Sequence, residues 1–351
     1  DLPVLINVWN SVLRAEITAT KPFIRTSEFL WQEGHTVHQT EEEAENEVMT
    51  ILEIYRQLVE DQLAIPVLVG KKTEREKFKG AVYTTTLEAM MPDGKAIQMG
   101  TSHHLGQNFS KPFEIKYLGK DEKEHFAWTT SWGISWRLIG AMIMAHGDDK
   151  GLVIPPKVAP TQVVFVPIHY KESDKELIMK TVHHISSGLE KHSIRTFIDD
   201  REQYTPGWKY HEWEMKGVPL RVEIGPRDMQ SNQITLVRRD TGKKAAVPQA
   251  DADKQILVIL EEIQKTLLHQ AKTVQNNLTT TAHNMDQFKR VIEDNGGFVR
   301  AFLSDRNDCE EKIKIETGAT VRIVPFKDSA TGNCVYCGTP NSREVVFARS
   351  Y

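Results

Sequence analysis

Between Leu13 and His38 the chain concentrates side chains able to do chemistry. The stretch LRAE, a polar break at ITATK, and FIRTSEFLWQEGHTVH bring Arg14, Glu16, Arg25, Glu28, Glu33 and His35 together with Phe29 and Trp31. In an extended strand, residues two apart share a face. Arg25, Ser27, Phe29, Trp31, Glu33 and His35 are therefore expected to point one way, with Arg14 and Arg25 on the two facing strands of a hairpin. A face mixing cation, aromatic ring, carboxylate and imidazole makes a poor core and a suitable floor for a small polar ligand. A solvated strand edge laced with ion pairs explains the same pattern. Glu33, His35 and His38 offer metal-ligand types at short spacing, but on a strand His35 and His38 face opposite sides, which disfavours one shared ion.

Three further segments carry chemistry. In QMGTSHHLGQNFSKPFEIKY, Gly100 and Gly106 flank Thr101, Ser102, His103 and His104, small hydroxyls and imidazoles that can approach a ligand without bulk; a polar turn between strands is the plainer reading. In SWGISWRLIGAMIMAHGDDKGL, Gly133 and Ser135 precede Arg137, which heads the apolar run Leu138–Ala145. In IDDREQYTPGWKYHEWEMKGVPLRVEIGPRD and LVRRDTG, basic and aromatic residues interleave, as suits single-stranded RNA, where stacking and phosphate contacts act together; a charged helix face explains it equally.

These residues need elements to hold them. Residues 1–40 read as two strands and a loop. Thr40 and Glu43 form a T-x-x-E capping box, and Ala44, Val48, Leu52, Tyr55 and Leu58 then give an amphipathic helix over about 41–62. Short strands are expected over 64–135, with a turn at Pro92-Asp93-Gly94. Pro155, Pro156 and Pro160 mark a boundary. Beyond it QVVFVPI, SIRTFID, VPLRVEIG and ITLVRRD read as strands and KELIMKTVHHISSGLEK as a helix, an α/β pattern with a mixed sheet. A helix from about Asp251 shows one apolar face through Ile256, Leu260, Ile263 and Leu267, and leads to a third region with all three cysteines. At 351 residues, more than one core is expected. No apolar run approaches the roughly 18–20 residues of a membrane span, and the first residues lack the features of a signal peptide. A net charge of −4 leaves any nucleic-acid contact to local basic clusters. Three cysteines without an export signal read as reduced thiols of a cytoplasmic protein.

The string RTSEFLWQEGHT, with LRAE before it, resembles motif 2 of the class II aminoacyl-tRNA synthetases and, within them, the prolyl-tRNA synthetases of the archaeal/eukaryote-like type. SWGISWRLIG followed by HGDDKGL…PP..AP is similar to motif 3 and its continuation in that family. The resemblance implies a multi-domain α/β and α+β protein. It comprises a partial class II antiparallel-sheet catalytic domain (1–157), an α/β anticodon-binding domain (158–250), a connecting helix (251–283) and a small α+β zinc-type domain (284–351). It implies activation of L-proline with ATP and Mg²⁺ and transfer to tRNA(Pro) by a homodimer. A catalytically inactive tRNA-binding or regulatory paralogue is the alternative, and a histidine-based metal hydrolase a more distant one. By the same resemblance, Arg14 and Arg137 are catalytic, and Arg14 bridges the α-phosphate and the amino-acid carboxylate. Glu16, Arg25, Thr26, Phe29, Gln98, Thr101 and Arg137 meet ATP, and Trp31, Glu33, His35, Phe78, His103 and Ser135 join Arg14 around proline. Glu212, Lys216 and Arg239 are candidates for the anticodon. Cys309, Cys334 and Cys337 correspond to a zinc module in which the first ligand pair is C-x₄-C. Here Ser304 occupies the first of those positions, leaving Asp305 or Asp308 to supply an oxygen ligand, or the site without metal. Motif 1 and a Thr-x-Glu loop that grips the proline nitrogen are not recognisable, so Asp1 reads as the edge of a longer protein. The closing ARSY resembles the family's terminal Tyr, which makes Tyr351 the expected chain end.

Overall fold

The computed structural model describes residues 1–305, 307–327 and 330–351. Its contacts divide the chain into two compact units, one of residues 1–61, 65–141 and 272–351, the other of residues 62–64 and 142–271.

The first unit is built on an antiparallel sheet from β1 (Val4–Leu13), β2 (Glu28–His38), β3 (Leu68–Lys71), β4 (Tyr83–Met90), β5 (Ala96–Gly106) and β8 (Trp128–Ser135), with a two-stranded ribbon of β6 (Lys116–Leu118) and β7 (Glu124–Phe126) beside it. The strand order is β1-β2-β8-β5-β4-β3. Helix α1 (Glu41–Gln57) starts at the expected capping box and continues as a π-helical turn over Leu58–Gln62. It buries Ala44, Val48, Ile51, Leu52 and Tyr55 against one face of the sheet. Tyr55 donates to Gln32 Oε1 at 2.7 Å. Because successive strand residues alternate sides, this assigns Gln32, Gly34, Thr36 and His38 to the helix side, where all four are buried. Residues 29, 31, 33 and 35 are left for the other face. Helix α2 (Arg137–His146) follows β8.

The rest of this unit is a second sheet. Strands β14 (Thr279–Thr281), β15 (Phe298–Leu303), β18 (Ser342–Ala348) and β16 (Thr320–Ile323) lie in that order with the short β17 (Thr331–Gly332) on β18; α7 (Met285–Asp294) and α8 (Asn307–Thr317) accompany them. Phe298, Ile323, Val346 and Ala348 pack with Met90 and Ala96 of the first sheet. Lys71 and Val324 exchange two backbone hydrogen bonds of 2.8 Å. The Pro92-Asp93-Gly94 turn is where the expectation placed it, and its glycine is required twice over. Its φ is +77°, and a Cβ there would stand 2.1 Å from the Asn295 carbonyl oxygen.

In the second unit, β9 (Val163–Pro167), β10 (Thr196–Ile198), β11 (Leu220–Ile224), β12 (Gln233–Arg238) and β13 (Lys244–Pro248) form a mixed sheet in the order β10-β9-β11-β12-β13. The first three are parallel and the last three antiparallel. Helices α3 (Glu172–Lys191), α4 (Pro206–Met215), α5 (Pro226–Ser231) and α6 (Ala252–Asn277) complete the α/β pattern. The core joins Val163, Phe165, Ile178, Leu189, Val222 and Ile256, and α6 buries the expected stripe Ile256, Leu260, Ile263 and Leu267. Among the described residues, no helix is long and apolar enough to cross a membrane.

Candidate active site

The exposed face of the first sheet is the floor of a cleft of about 420 Å³, and strand register explains which side chains reach it. On β2, Trp31, Glu33 and His35 stand opposite Ser135, Gly133 and Ser131 of β8. On β5, Thr101 and His103 stand opposite Gly133 and Ser131. All of these line the cleft, with Phe29 and Phe78. Gly133 lies in the middle of the floor, where a Cβ would approach the Gln32 carbonyl oxygen to 3.1 Å. Gln98 and Thr101 are three residues apart and by simple alternation face opposite sides. A bulge in the β4–β5 pairing between Leu87 and Glu88 resolves this, setting Thr86 opposite Thr101 and Glu88 opposite Gln98. Thr86 and Glu88 are two apart, so their partners share one face, and both Gln98 and Thr101 line the cleft.

The cations arrive differently from the sequence expectation. Strand β1 ends at Leu13 and β2 begins at Glu28, so Arg14 and Arg25 sit in the connection rather than on facing strands. The connection is closed by Arg14 N–H donating to the Ser27 carbonyl at 2.6 Å, and by Lys21 and Arg25 exchanging backbone bonds of 2.7 and 2.9 Å. A left-handed Phe23 (φ 60°) makes the tight turn. The strand period therefore stops short of both arginines, and Ser27 uses its carbonyl to close the loop instead of lining the floor. Arg14 lies over the Phe29 ring at 5.1 Å. Arg137, at the head of α2, donates to the carbonyls of Ile24 (3.2 Å) and Gln98 (3.5 Å). Burial lowers its proton affinity, as do Arg14 and Arg322 nearby, while Glu88 opposes them. Among the described residues none of Arg14, Arg25 and Arg137 has a carboxylate partner. Glu16 is exposed and does not line the cleft, whereas Thr26 does. Three unpaired cations in one cleft suit an anion with several charged oxygens.

The opposite end is less positive. Glu33 accepts from Asn10 at 3.3 Å and lies 3.2 Å from His35 Nε2. His103 packs against Phe78 with ring centroids 5.1 Å apart and pairs through Nδ1 with Thr84 Oγ1 at 2.9 Å. Burial pushes its imidazole down to about 4, so it is neutral near pH 7. Thr26 Oγ1, Trp31 Nε1 and Trp136 Nε1 are buried without a protein partner, which leaves hydrogen-bonding capacity for a ligand. His38 is a core histidine: it sits on the helix side, bonds Thr36 Oγ1 at 2.7 Å, and shares no face with His35. Residues missed by the sequence reading are Ser131, Thr84 and Trp136. Counting back by two from Gly133 finds Ser131, while nothing in the sequence singles out the others.

Cys309, Cys334 and Cys337 converge, their sulfurs all within 4.8 Å of one another, and are the only such group among the described residues. Neither Asp305 nor Asp308 belongs to it; they lie by Arg343 and Lys312 respectively. Instead Ser304 Oγ is 3.5 Å from the Cys309 sulfur and 3.6 Å from that of Cys337. Burial pushes the Cys309 thiol up to about 11, and the Thr339 hydroxyl draws Cys337 down to about 6.

In the second unit, Glu212 is bound by Arg201 and, at 2.7 Å, by Lys216, whose ammonium lies 4.6 Å over the Trp213 ring. Arg239 is nearly inaccessible (8% exposed). Its guanidinium is spent on Asp148 at 2.6 and 2.8 Å and on the Glu214 carbonyl at 2.9 Å, so it anchors the HGDD turn. Tyr204 and Trp208 stack at 3.8 Å with Arg201 beside them.

Three family models match the chain. They are the class II core domain of the tRNA synthetases (G, H, P, S and T) over residues 1–146, an anticodon binding domain over 162–259, and the C-terminal domain of prolyl-tRNA synthetase over 285–351. A proline–tRNA ligase of Cenarchaeum symbiosum (strain A) is 55% identical across the whole chain, which spans 73% of that relative. One from Natranaerobius thermophilus is 49% identical, also over the whole chain and 72% of its own length. Among solved structures, the prolyl-tRNA synthetase from Cryptosporidium parvum complexed with halofuginone and AMPPNP is similar over the whole chain and 74% of its own. Its TM-score is 0.94 and its identity 42%.

Proposed function

Since the chain belongs to the prolyl-tRNA synthetases, class II ligases that activate proline with ATP and charge tRNA, we propose how its own residues divide that work. The carrying observation is the polarity of the cleft, with Arg14, Arg25 and Arg137 unpaired at one end and Glu33 with a neutral His103 at the other. ATP lies against Phe29, Thr26, Gln98 and Thr101 with its phosphates among the three arginines, and Glu16 reaches it from the exposed loop. Proline lies over Trp31, Glu33, His35, Phe78, His103 and Ser135, its ammonium toward the acidic end and its carboxylate toward Arg14.

Activation joins a proline carboxylate oxygen to the α-phosphorus as the bond to pyrophosphate breaks. The carboxylate is already ionised, so no strong base is needed. Placement in line and neutralisation of charge on the α-phosphate carry the rate, and Arg14 and Arg137 supply both. Mg²⁺ arrives with the triphosphate and adds positive charge there. In the second step the terminal ribose hydroxyl of tRNA attacks the prolyl carbonyl and AMP leaves. The retained cations disfavour the inactive-paralogue reading, which has no use for a nucleotide clamp. Proline-dependent exchange of pyrophosphate into ATP tests the assignment. Arg14→Ala abolishes exchange while tRNA binding persists, and wild-type exchange in that variant removes Arg14 from the mechanism.

On the second unit, Lys216 and Glu212 serve the anticodon with the Tyr204–Trp208 stack, and Arg239 contributes through the turn it holds. Cys309, Cys334 and Cys337 would hold Zn²⁺ through their thiolates, with the Ser304 hydroxyl beside them, and the ion would tie together the segments that carry them. Ser304 Oγ lies 3.5 and 3.6 Å from two of the sulfurs, within hydrogen-bonding reach of both. A homodimer and a cytoplasmic setting complete the proposal; unpaired cysteines support the latter.

A further inference from the structure

Glu88 is fully buried in β4, and its carboxylate is shared among four donors. Lys72 Nζ and Thr86 Oγ1 reach one oxygen at 2.7 and 3.0 Å, and Arg322 Nε and Nη2 reach the other at 3.0 and 2.9 Å. Thr86, also fully buried, in turn stands 3.3 Å from Gln98 Nε2. The roles follow from chemistry. An ionised carboxylate only accepts, so the Thr86 hydroxyl spends its single proton on Glu88 and offers Gln98 a lone pair. Gln98 must therefore turn its NH₂ toward Thr86, which leaves its carbonyl oxygen on the other side of the amide. We infer that Thr86 is a positioning residue for nucleotide binding: oriented by the Lys72–Glu88–Arg322 cluster, it fixes the amide of Gln98 so that its oxygen accepts from a hydroxyl or amino group of ATP. Arg322 belongs to β16, so the second sheet of the unit reaches the nucleotide through this chain of bonds. The cluster is also what keeps Glu88 ionised. With Lys72 and Arg322 both in contact, its proton affinity falls in spite of burial.

The inference rests on the reading that Gln98 meets ATP, and the experiment separates the two. Steady-state pyrophosphate exchange is measured against ATP and against proline for wild type, Thr86→Val, Thr86→Ser, Gln98→Ala and the Thr86→Val/Gln98→Ala pair. Loss of one hydrogen-bond constraint should raise KM for ATP in Thr86→Val about 3- to 10-fold. The kcat and the KM for proline should stay within about 2-fold of wild type, and Thr86→Ser should restore the wild-type value. The double variant should be no worse than Gln98→Ala, because both act through one amide. If valine prevents folding, Thr86→Ala removes the same hydroxyl without a branched substitute. Normal KM for ATP in a folded Thr86 variant, with Gln98→Ala impaired, overturns the relay and spares the Gln98 reading. Normal KM in Gln98→Ala overturns both, and additive losses in the pair overturn the relay.

Discussion

Arg137→Met separates function from stability in opposite directions. In the free protein this guanidinium has only two long bonds to carbonyls, at 3.2 and 3.5 Å, and no carboxylate partner. Its charged neighbours are one carboxylate, Glu88, already paired with Lys72 and Arg322, and two further cations, Arg14 and Arg322. Its own charge is thus undercompensated until an anion enters. A phosphate oxygen about 4 Å away at an effective dielectric near 20 gains about 4 kcal/mol. Removing one preorganised donor from developing charge typically costs about 2.7–4 kcal/mol. Arg137→Met should therefore lower kcat/KM for pyrophosphate exchange about 100- to 1,000-fold. The empty protein should not be weakened. Methionine removes an unpaired charge, and the two released carbonyls belong to residues that line the cleft. Its Tm should stay within about 2 °C of wild type or rise. ATP should raise the wild-type Tm and leave the variant's unchanged. Exchange above a tenth of wild type refutes the transition-state role. A fall in Tm of many degrees refutes the claim that the charge is undercompensated.

Other perturbations follow from the same geometry. His103, held to about 4 by burial, is neutral from pH 5.5 upward, so His103→Asn should alter kcat/KM for proline without removing any pH limb in that range. A limb near pH 6.5 that vanishes with the substitution counts against it. Ser304→Cys should convert a three-thiolate site into a four-thiolate one, raising the Co²⁺ charge-transfer absorbance by about a third and slowing metal loss to a chelator. If neither protein binds Co²⁺, the zinc assignment falls. Asp199 is fully buried, accepting from Arg201 at 2.8 Å through each oxygen and from Trp213 Nε1 at 2.8 Å. These bonds outweigh its burial and hold it at about 2 against a usual 3.8. Its contribution of about 2 kcal/mol is therefore complete above pH 4 and disappears as pH falls through 2. In hydrogen exchange of the second unit, Asp199→Asn should destabilise by that amount at pH 7 and by about half at pH 3; an equal loss at both contradicts the linkage.

How far the site was legible depended on where its information is stored. The floor on β2 followed from alternation, because Phe29, Trp31, Glu33 and His35 obey a period of two and Gln32, Gly34, Thr36 and His38 take the helix side. The arginines did not follow, since a left-handed Phe23 and paired backbone bonds at Lys21 and Arg25 replace the strand where the period was extended. Spacing alone puts Gln98 and Thr101 on opposite faces; only the bulge in register unites them, and no residue type marks it. Arg239 read as one more basic residue in an RNA-like run. Its partner is Asp148, 91 positions away, and long-range pairing has no local pattern. The convergence of the three cysteines was legible in part from Cys334-x-x-Cys337, but the approach of Ser304 to two of the sulfurs was not, because it is an ordinary serine until those distances are known.

The Glu88–Arg322 pair spans 234 positions, and that interval has a meaning in time. A ribosome adding about 5–20 residues per second exposes Glu88 some 12–47 s before Arg322 emerges. Throughout that wait the carboxylate can find Lys72, but its second oxygen has no guanidinium. The same delay leaves β3 with its backbone unpaired on the side that Val324 later closes. The nascent chain thus carries both an unfinished charge cluster and an open strand edge, a hazard for pairing with other chains. Chains released early should therefore be handled as clients of chaperones and proteases, and the emergence of β16 with Val324 is the event that seals the sheet.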